Sequence, residues 1–214
     1  MARLAGGVMN IVFDLAGVVF HWQPLALLRA TLPHHVPDEA AGRALMTELF
    51  QGFLPGGDWA DFDLGLVEPA ELAARIARRT GIAVPDVRAV IDAIPASLRA
   101  DDATVDLMRR LKRAGHRLYY LSNMPAPYAE HLERSHDFFD LFDDGVFSAR
   151  VQLMKPDAAV FDAAARRFGL APPELLFIDD VPHNVDAART LGWQALHYRN
   201  ATDCEAALPP GTLD

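Results

Sequence analysis

Met9-Asn10-Ile11-Val12-Phe13-Asp14-Leu15-Ala16-Gly17-Val18-Val19-Phe20 decides the fold: an apolar run delivers an acid, and a glycine turn takes over at once. Ile11, Val12 and Phe13 are strand formers, and an unbroken apolar run suits a strand covered on both faces, as in a parallel α/β sheet. Asp14 then sits at the C-terminal end of that strand, where open α/β sheets hold their ligands. Gly17 lets the backbone fold closely around whatever binds. Taken alone, the stretch also fits a solvated acid that merely ends a strand.

Working outward, the same pattern returns late in the chain. Arg117 to Ser122 reads as a second strand, Gly145 to Ser148 as a short one, Leu175 to Ile178 as a fully apolar one that ends in Asp179-Asp180, and Trp193 to Tyr198 as the last. Helical segments from Asp101 to Lys112, Pro127 to Arg134, Pro156 to Phe168 and Val185 to Leu191 alternate with them. Strands alternating with helices imply a parallel, doubly wound sheet with right-handed crossovers. Between His21-Trp22-Gln23-Pro24 and about Ser97 the pattern is helical without a strand, so this block reads as an insertion. Its stretch from Gln51 to Asp63, with Gly52, Pro55, Gly56, Gly57, Trp59 and Phe62, reads as a loop.

The 214 residues are 51% hydrophobic, ample for one large core with a smaller inserted unit. A formal charge of −9, a pI near 5.3 and no basic run longer than a pair such as Arg109-Arg110 argue against a nucleic-acid or anionic-membrane surface. A single cysteine, Cys204, excludes an internal disulfide and suits a reducing cytoplasm. The start of the chain imitates a secretory leader, but Asp14 interrupts the apolar run, which is therefore read as structure. No stretch reaches the roughly 18 uninterrupted apolar residues of a membrane helix, and a soluble monomer or homodimer is expected.

In a parallel sheet the polar ends of the strands share one edge. Asp14, Ser122-Asn123 and Asp179-Asp180 therefore converge, and Lys155 joins them from the loop before the Pro156 helix. These residues resemble the four motifs of the haloacid dehalogenase superfamily, matched in order by Asp14-Leu15-Ala16-Gly17-Val18, Leu121-Ser122-Asn123, Lys155-Pro156 and Asp179-Asp180 with Asn184 following. The likeness is nearest to bacterial members whose first motif lacks its usual second aspartate and continues as Val-Val-X-X-Trp-X-Pro, matched here by Val18 to Pro24. That subgroup includes sugar-phosphate phosphatases.

The resemblance implies a Rossmann-like core of residues 1–23 and 98–214, with residues 24–97 as a helical cap. It implies a phosphatase in which Asp14 attacks phosphorus to give an aspartyl-phosphate, Ser122, the Asn123 amide and Lys155 bind the phosphate, and Asn184 orients the acidic loop. Asp14, Asp179, Asp180 and the Ala16 carbonyl would hold Mg²⁺. One lysine cannot balance three carboxylates and a dianionic substrate, and ligands that are all oxygen favour a hard cation. Asp58, Trp59 and Phe62 are expected to shape specificity for a small phosphorylated metabolite, with a sugar phosphate the leading candidate.

Ala16 is the departure. The family's usual aspartate there protonates the leaving group and later activates water, and a methyl group does neither. Losing a positioned acid-base costs on the order of a hundred- to ten-thousandfold in rate, so the chain is slow, needs good leaving groups or depends on a substitute, with His21 the first suspect; His183, also near the predicted edge, reads as a partly exposed histidine. A weakened family member that binds phosphometabolites or a partner protein is the first alternative. A 2-haloacid dehalogenase is the second, since halide leaves without a proton, but the paired acids speak against it.

Overall fold

β1 (Asn10–Phe13) lies at the centre of a five-stranded parallel sheet, and the chain winds outward from it on both sides. The computed structural model describes residues 7–53 and 56–213. β2 (Arg117–Ser122) pairs with β1 on one side, Ile11 opposite Leu118, and carries β3 (Asp144–Phe147) beyond it. β4 (Leu175–Asp179) pairs on the other side, Ile11 opposite Leu176, and carries β5 (Gln194–His197). The order β3-β2-β1-β4-β5 puts the reversal of winding at β1, so the crevice of the sheet opens where Asp14 leaves it.

Alternation along each strand divides the core into two layers. Ile11, Phe13, Leu118, Tyr120, Leu176 and Ile178 face one side, and Val12, Tyr119, Leu121 and Phe177 the other. Between β1 and β2 run α1 (Pro24–Thr31), α2 (Glu39–Phe50), α3 (Asp58–Asp63), α4 (Pro69–Thr80) and α5 (Val84–Ser97). They pack chiefly on one another, α1 on α2 and α5, α4 on α3 and α5. Their apolar stripe, with Leu28, Leu49, Leu72 and Ile94, is continuous with the first face of the sheet. α6 (Asp102–Arg113) and α7 (Ala126–Ser135) complete that layer through Leu107, Leu111, Ala129 and Leu132.

After the one-turn α8 (Ser148–Val151), α9 (Ala158–Phe168) and α10 (Pro182–Thr190) cover the second face with Val160, Phe161, Val185 and Ala188. The chain continues past β5 into α11 (Ala201–Ala207), whose first turn is capped by Asn200 accepting the Asp203 N–H at 2.8 Å. Among the described residues no helix is long and apolar enough to cross a membrane.

One segment differs from its sequence reading. The stretch expected as a loop is a short 3₁₀ turn, Gln51–Phe53, followed by the helix α3, while Leu54 and Pro55 lie outside the described residues. The cause is local. Asp58 and Asp61 sit in the first turn, where the helix dipole favours acids, and Trp59 and Phe62 fall three residues apart on one face, both buried.

Phe177 is fully buried, its ring edge-on to Phe161 (5.6 Å between centroids) and Trp193 (6.2 Å). Phe177→Ala should cost about 3–5 kcal/mol in urea unfolding. A loss below about 1 kcal/mol would show that this layer is not closely packed.

Candidate active site

The site begins where β1 and β4 end side by side. The Asp14 N–H donates to the Ile178 carbonyl at 2.8 Å, which continues the β1–β4 pairing one residue beyond the strand and brings Asp14 up against the Asp179-Asp180 pair. Lys155 Nζ lies 2.9 Å from Asp14 Oδ1 and 2.6 Å from Asp179 Oδ2, and all three side chains are buried. The lysine is held at both ends. Asn123 Oδ1 accepts the Lys155 N–H at 2.9 Å and Asn123 Nδ2 donates to the Lys155 carbonyl at 3.0 Å, while Nζ stands 5.3 Å from the centre of the Phe177 ring.

Asp179 is saturated. Val181 N–H donates to its Oδ1 at 2.7 Å, and Asn184 Nδ2 lies 3.2 Å from Oδ1 and 3.1 Å from Oδ2, with Lys155 on Oδ2. Asp180 is the opposite case: its Oδ1 is buried and has no hydrogen-bond partner among the described residues. Ser122 Oγ, at the end of β2, is a second such orphan. Unsatisfied buried oxygens carry a desolvation cost of roughly 1–3 kcal/mol each, which a ligand would relieve. Gly17, at φ +91°, makes room for this arrangement, since a Cβ there would run into the Asp180 carboxylate.

Electrostatics describes the same imbalance. Burial, with the charges of Asp179 and Asp180 added, outweighs the Lys155 ammonium and lifts Asp14 to about 7. Burial and the neighbouring Asp179 raise Asp180 as well. Lys155 is itself pushed up, because Asp14 and Asp179 overcome the desolvation that opposes its charge.

Above the acids lies a cavity of about 550 Å³. Asp14, Asn123, Lys155, Asp180 and Asn184 form its charged and polar end, with the Ala16 methyl beside them. Trp59 reaches it, as expected from the sequence, but Phe62 packs behind, edge-on to Trp59 and Tyr128, and Asp58 turns away to pair with Arg79 at 2.9 Å. His21 also misses the cavity: its ring faces Asp101, 3.9 Å away, and is half exposed. His183 does line it. The Asn123 side chain is committed to the Lys155 backbone, which leaves only its backbone N–H for a phosphate.

Sequence reasoning did not find Asp63, the last residue of α3. It is buried, lines the cavity with Asp14, and has a pKa raised to about 8 by burial and then by Asp14. Nor did it find the apolar lining that Trp22, Phe53, Ile94, Leu98 and Tyr128 supply from four separate stretches.

The sequence profile of the haloacid dehalogenase-like hydrolases matches residues 8–192. The chain belongs to that family. Among its relatives is the sesquiterpene phosphatase astK of Aspergillus oryzae, 28% identical over 191 residues that cover 89% of each chain. Among solved structures, a HAD family enzyme of Bacteroides thetaiotaomicron in complex with magnesium and inorganic phosphate superposes with a TM-score of 0.70 at 22% identity, over 90% of this chain and 95% of that one. An L-2-haloacid dehalogenase of Xanthobacter autotrophicus superposes with a TM-score of 0.66 at 17% identity, over 88% and 76%. These two likenesses establish the fold.

The residues present fit a divalent cation. Oxygens of Asp14, Asp179 and Asp180 all lie within 4.8 Å of one another, and the orphaned Asp180 Oδ1 is open to a metal, while Asp179 is taken up by three donor groups that make four contacts. A cation competes with protons for these acids, so binding should strengthen as pH rises through about 7. At a hundredfold excess over Kd, Mg²⁺ should stabilise the fold by about 2.7 kcal/mol, a rise in Tm on the order of 5–10 °C. The rise should be larger at pH 8 than at pH 6 and absent in Asp180→Asn. An equal rise in that variant would remove Asp180 from the metal site.

Proposed function

We propose that this chain is a Mg²⁺-dependent phosphatase that hydrolyses the phosphate monoester of an apolar alcohol, with residues 24–97 as its cap. The observation that carries the reading is the two-ended cavity, one end charged and the other walled by Trp22, Phe53, Trp59, Ile94, Leu98 and Tyr128. A dianionic head fits the first end and an apolar body the second. The sugar phosphate expected from the sequence fits less well, because such walls leave most of a sugar's hydroxyls without partners. The sesquiterpene phosphatase relative supports the same direction.

Each residue has a role at a stated atom. The Asp14 carboxylate attacks phosphorus to form an aspartyl-phosphate, which water then hydrolyses. The oxygen that Lys155 holds at 2.9 Å fixes the side chain, so its partner is the one free to attack. Lys155 and Asn123, which hold each other in place, present the ammonium and the Asn123 N–H to the phosphoryl oxygens before the substrate arrives, and the unpartnered Ser122 hydroxyl is the third donor. A bound Mg²⁺ would supply charge neutralisation between phosphate and acids. A dehalogenase reading leaves the unpartnered Asp180 carboxyl without a use.

The test is a panel of phosphate esters with and without Mg²⁺. Each methylene moved from water into the apolar end gains about 0.8 kcal/mol, so kcat/KM should rise three- to fourfold per carbon along a series of n-alkyl phosphates until the cavity is full. Hexose phosphates should be poor substrates, and Asp14→Asn should be inactive on all. A preference for hexose phosphates would overturn the substrate class, and hydrolysis by Asp14→Asn the mechanism.

A further inference from the structure

We propose that Asp63, carried by the inserted helices, is the acid-base group of this site and does the work that the methyl group at Ala16 cannot do. The inference rests on the phosphatase reading above and adds a residue to it. Asp63 closes α3, and its side chain emerges into the cavity shared with Asp14 and Ala16. It is 4% exposed, yet its carboxyl makes no hydrogen bond and no ion pair among the described residues. Structural acids in so buried a residue are paired as a rule, whereas neither Asp63 oxygen is sealed in protein and the carboxyl opens to the cavity. It also stands outside the Asp14, Asp179 and Asp180 trio that could hold a metal.

The placement of Asp63 is fixed from the sheet side. Ser148 Oγ, at the start of α8, donates to the Asp63 carbonyl at 2.5 Å and accepts the Met124 N–H at 2.9 Å, tying α3 to the loop that follows the phosphate-binding end of β2. Gly65, at φ +69°, lets the turn after α3 close on Ala149, where a Cβ would meet the Ala149 carbonyl at 2.9 Å. Asp63 is thus delivered over the site by two contacts that have nothing to do with its carboxyl. The other titratable groups lining the cavity are Asp14, Lys155, Asp180, Tyr128 and His183. Lys155 is bound to Asp14 and Asp179, and the Tyr128 hydroxyl donates to the Ile91 carbonyl at 2.8 Å. Burial raises the Asp63 pKa to about 8, so it enters the reaction with its proton.

The step balances. As an Asp14 oxygen bonds to phosphorus, the bond from phosphorus to the leaving oxygen breaks, its electron pair stays on that oxygen, and the Asp63 proton completes the alcohol. Asp63, now a carboxylate, takes a proton from the water that attacks the aspartyl-phosphate. Phosphate departs, Asp14 regains its charge, and Asp63 is again protonated.

The experiment compares n-octyl phosphate, whose alkoxide needs a proton to leave, with para-nitrophenyl phosphate, whose phenolate does not, in the wild-type enzyme and in Asp63→Asn with Mg²⁺ present. Removing the acid should lower kcat/KM for the octyl ester on the order of a hundred- to ten-thousandfold and leave the nitrophenyl ester within about threefold. With the base gone as well, Asp63→Asn should release nitrophenol in a burst, because hydrolysis of the phosphoenzyme becomes slow. Its Tm should be no lower than that of the wild type, since the amide removes a buried ionisable group. Equal losses on both esters, or an unaffected octyl ester, would overturn the role of Asp63 while leaving the phosphatase reading intact. If the wild type hydrolysed neither ester with Mg²⁺, that underlying reading would fail first. A wild type already as sensitive to its leaving group as Asp63→Asn would also exclude any acid at this position.

Discussion

Everything at the working edge of this protein depends on one buried ammonium shared between two carboxylates. Lys155 sits between Asp14 and Asp179 with almost no access to solvent, and Asp180 adds a third acid to the same corner. Withdrawing such groups from water costs several kcal/mol per ion, and only close pairing with further hydrogen bonds repays it. The structure meets this for Asp179 and for the lysine and leaves it unmet for Asp180. Net negative charge therefore remains, and a divalent cation is the complement that the geometry asks for.

The fold can impose this crowding because the constraint is distributed. β1 and β4 are neighbours with opposite directions of onward winding, so Asp14 and Asp179 meet although 164 residues of chain separate them. Asn123 fixes the lysine from the end of β2, Asn184 fixes Asp179 from the first turn of α10, and Phe177 fills the space beneath the ammonium. The two-layer core makes those strand ends rigid. The opposite wall of the cavity comes from the inserted helices, which share one apolar cluster with the sheet, so the charged and the apolar linings of the cavity belong to one packed body.

Much of this was legible in the sequence because strand ends have a local signature. An apolar run that stops at Asp14, at Ser122 or at Asp179 announces both the strand and the edge on which the acid or hydroxyl lies. What stayed hidden is tertiary. α3 is six residues long, too short for its period to stand out against glycines on one side, and so Asp63 read as the end of a loop. Trp22, Ile94, Leu98 and Tyr128 carry no mark that separates a cavity wall from ordinary core, since each is simply apolar until the helices are assembled. His21 lies near Asp14 in sequence, but the turn that returns Gly17 to Phe20 carries the chain away, and the histidine faces Asp101 instead. Asn123 illustrates a further limit: its position in the motif was readable, while the commitment of its amide to the backbone of Lys155 was not.

The central claim is that Asp14 is a nucleophile held ready by Lys155. It is tested most directly by acid quench during turnover of n-octyl phosphate with Mg²⁺, followed by mass spectrometry of the intact chain and its peptides. The account predicts a transient adduct of one phosphoryl group, confined to the peptide that contains Asp14, labile to hydroxylamine as an acyl phosphate is, and lost with the kinetics of turnover. An enzyme that turns over while remaining free of phosphoryl at every time point, or one labelled at a different residue, would contradict it.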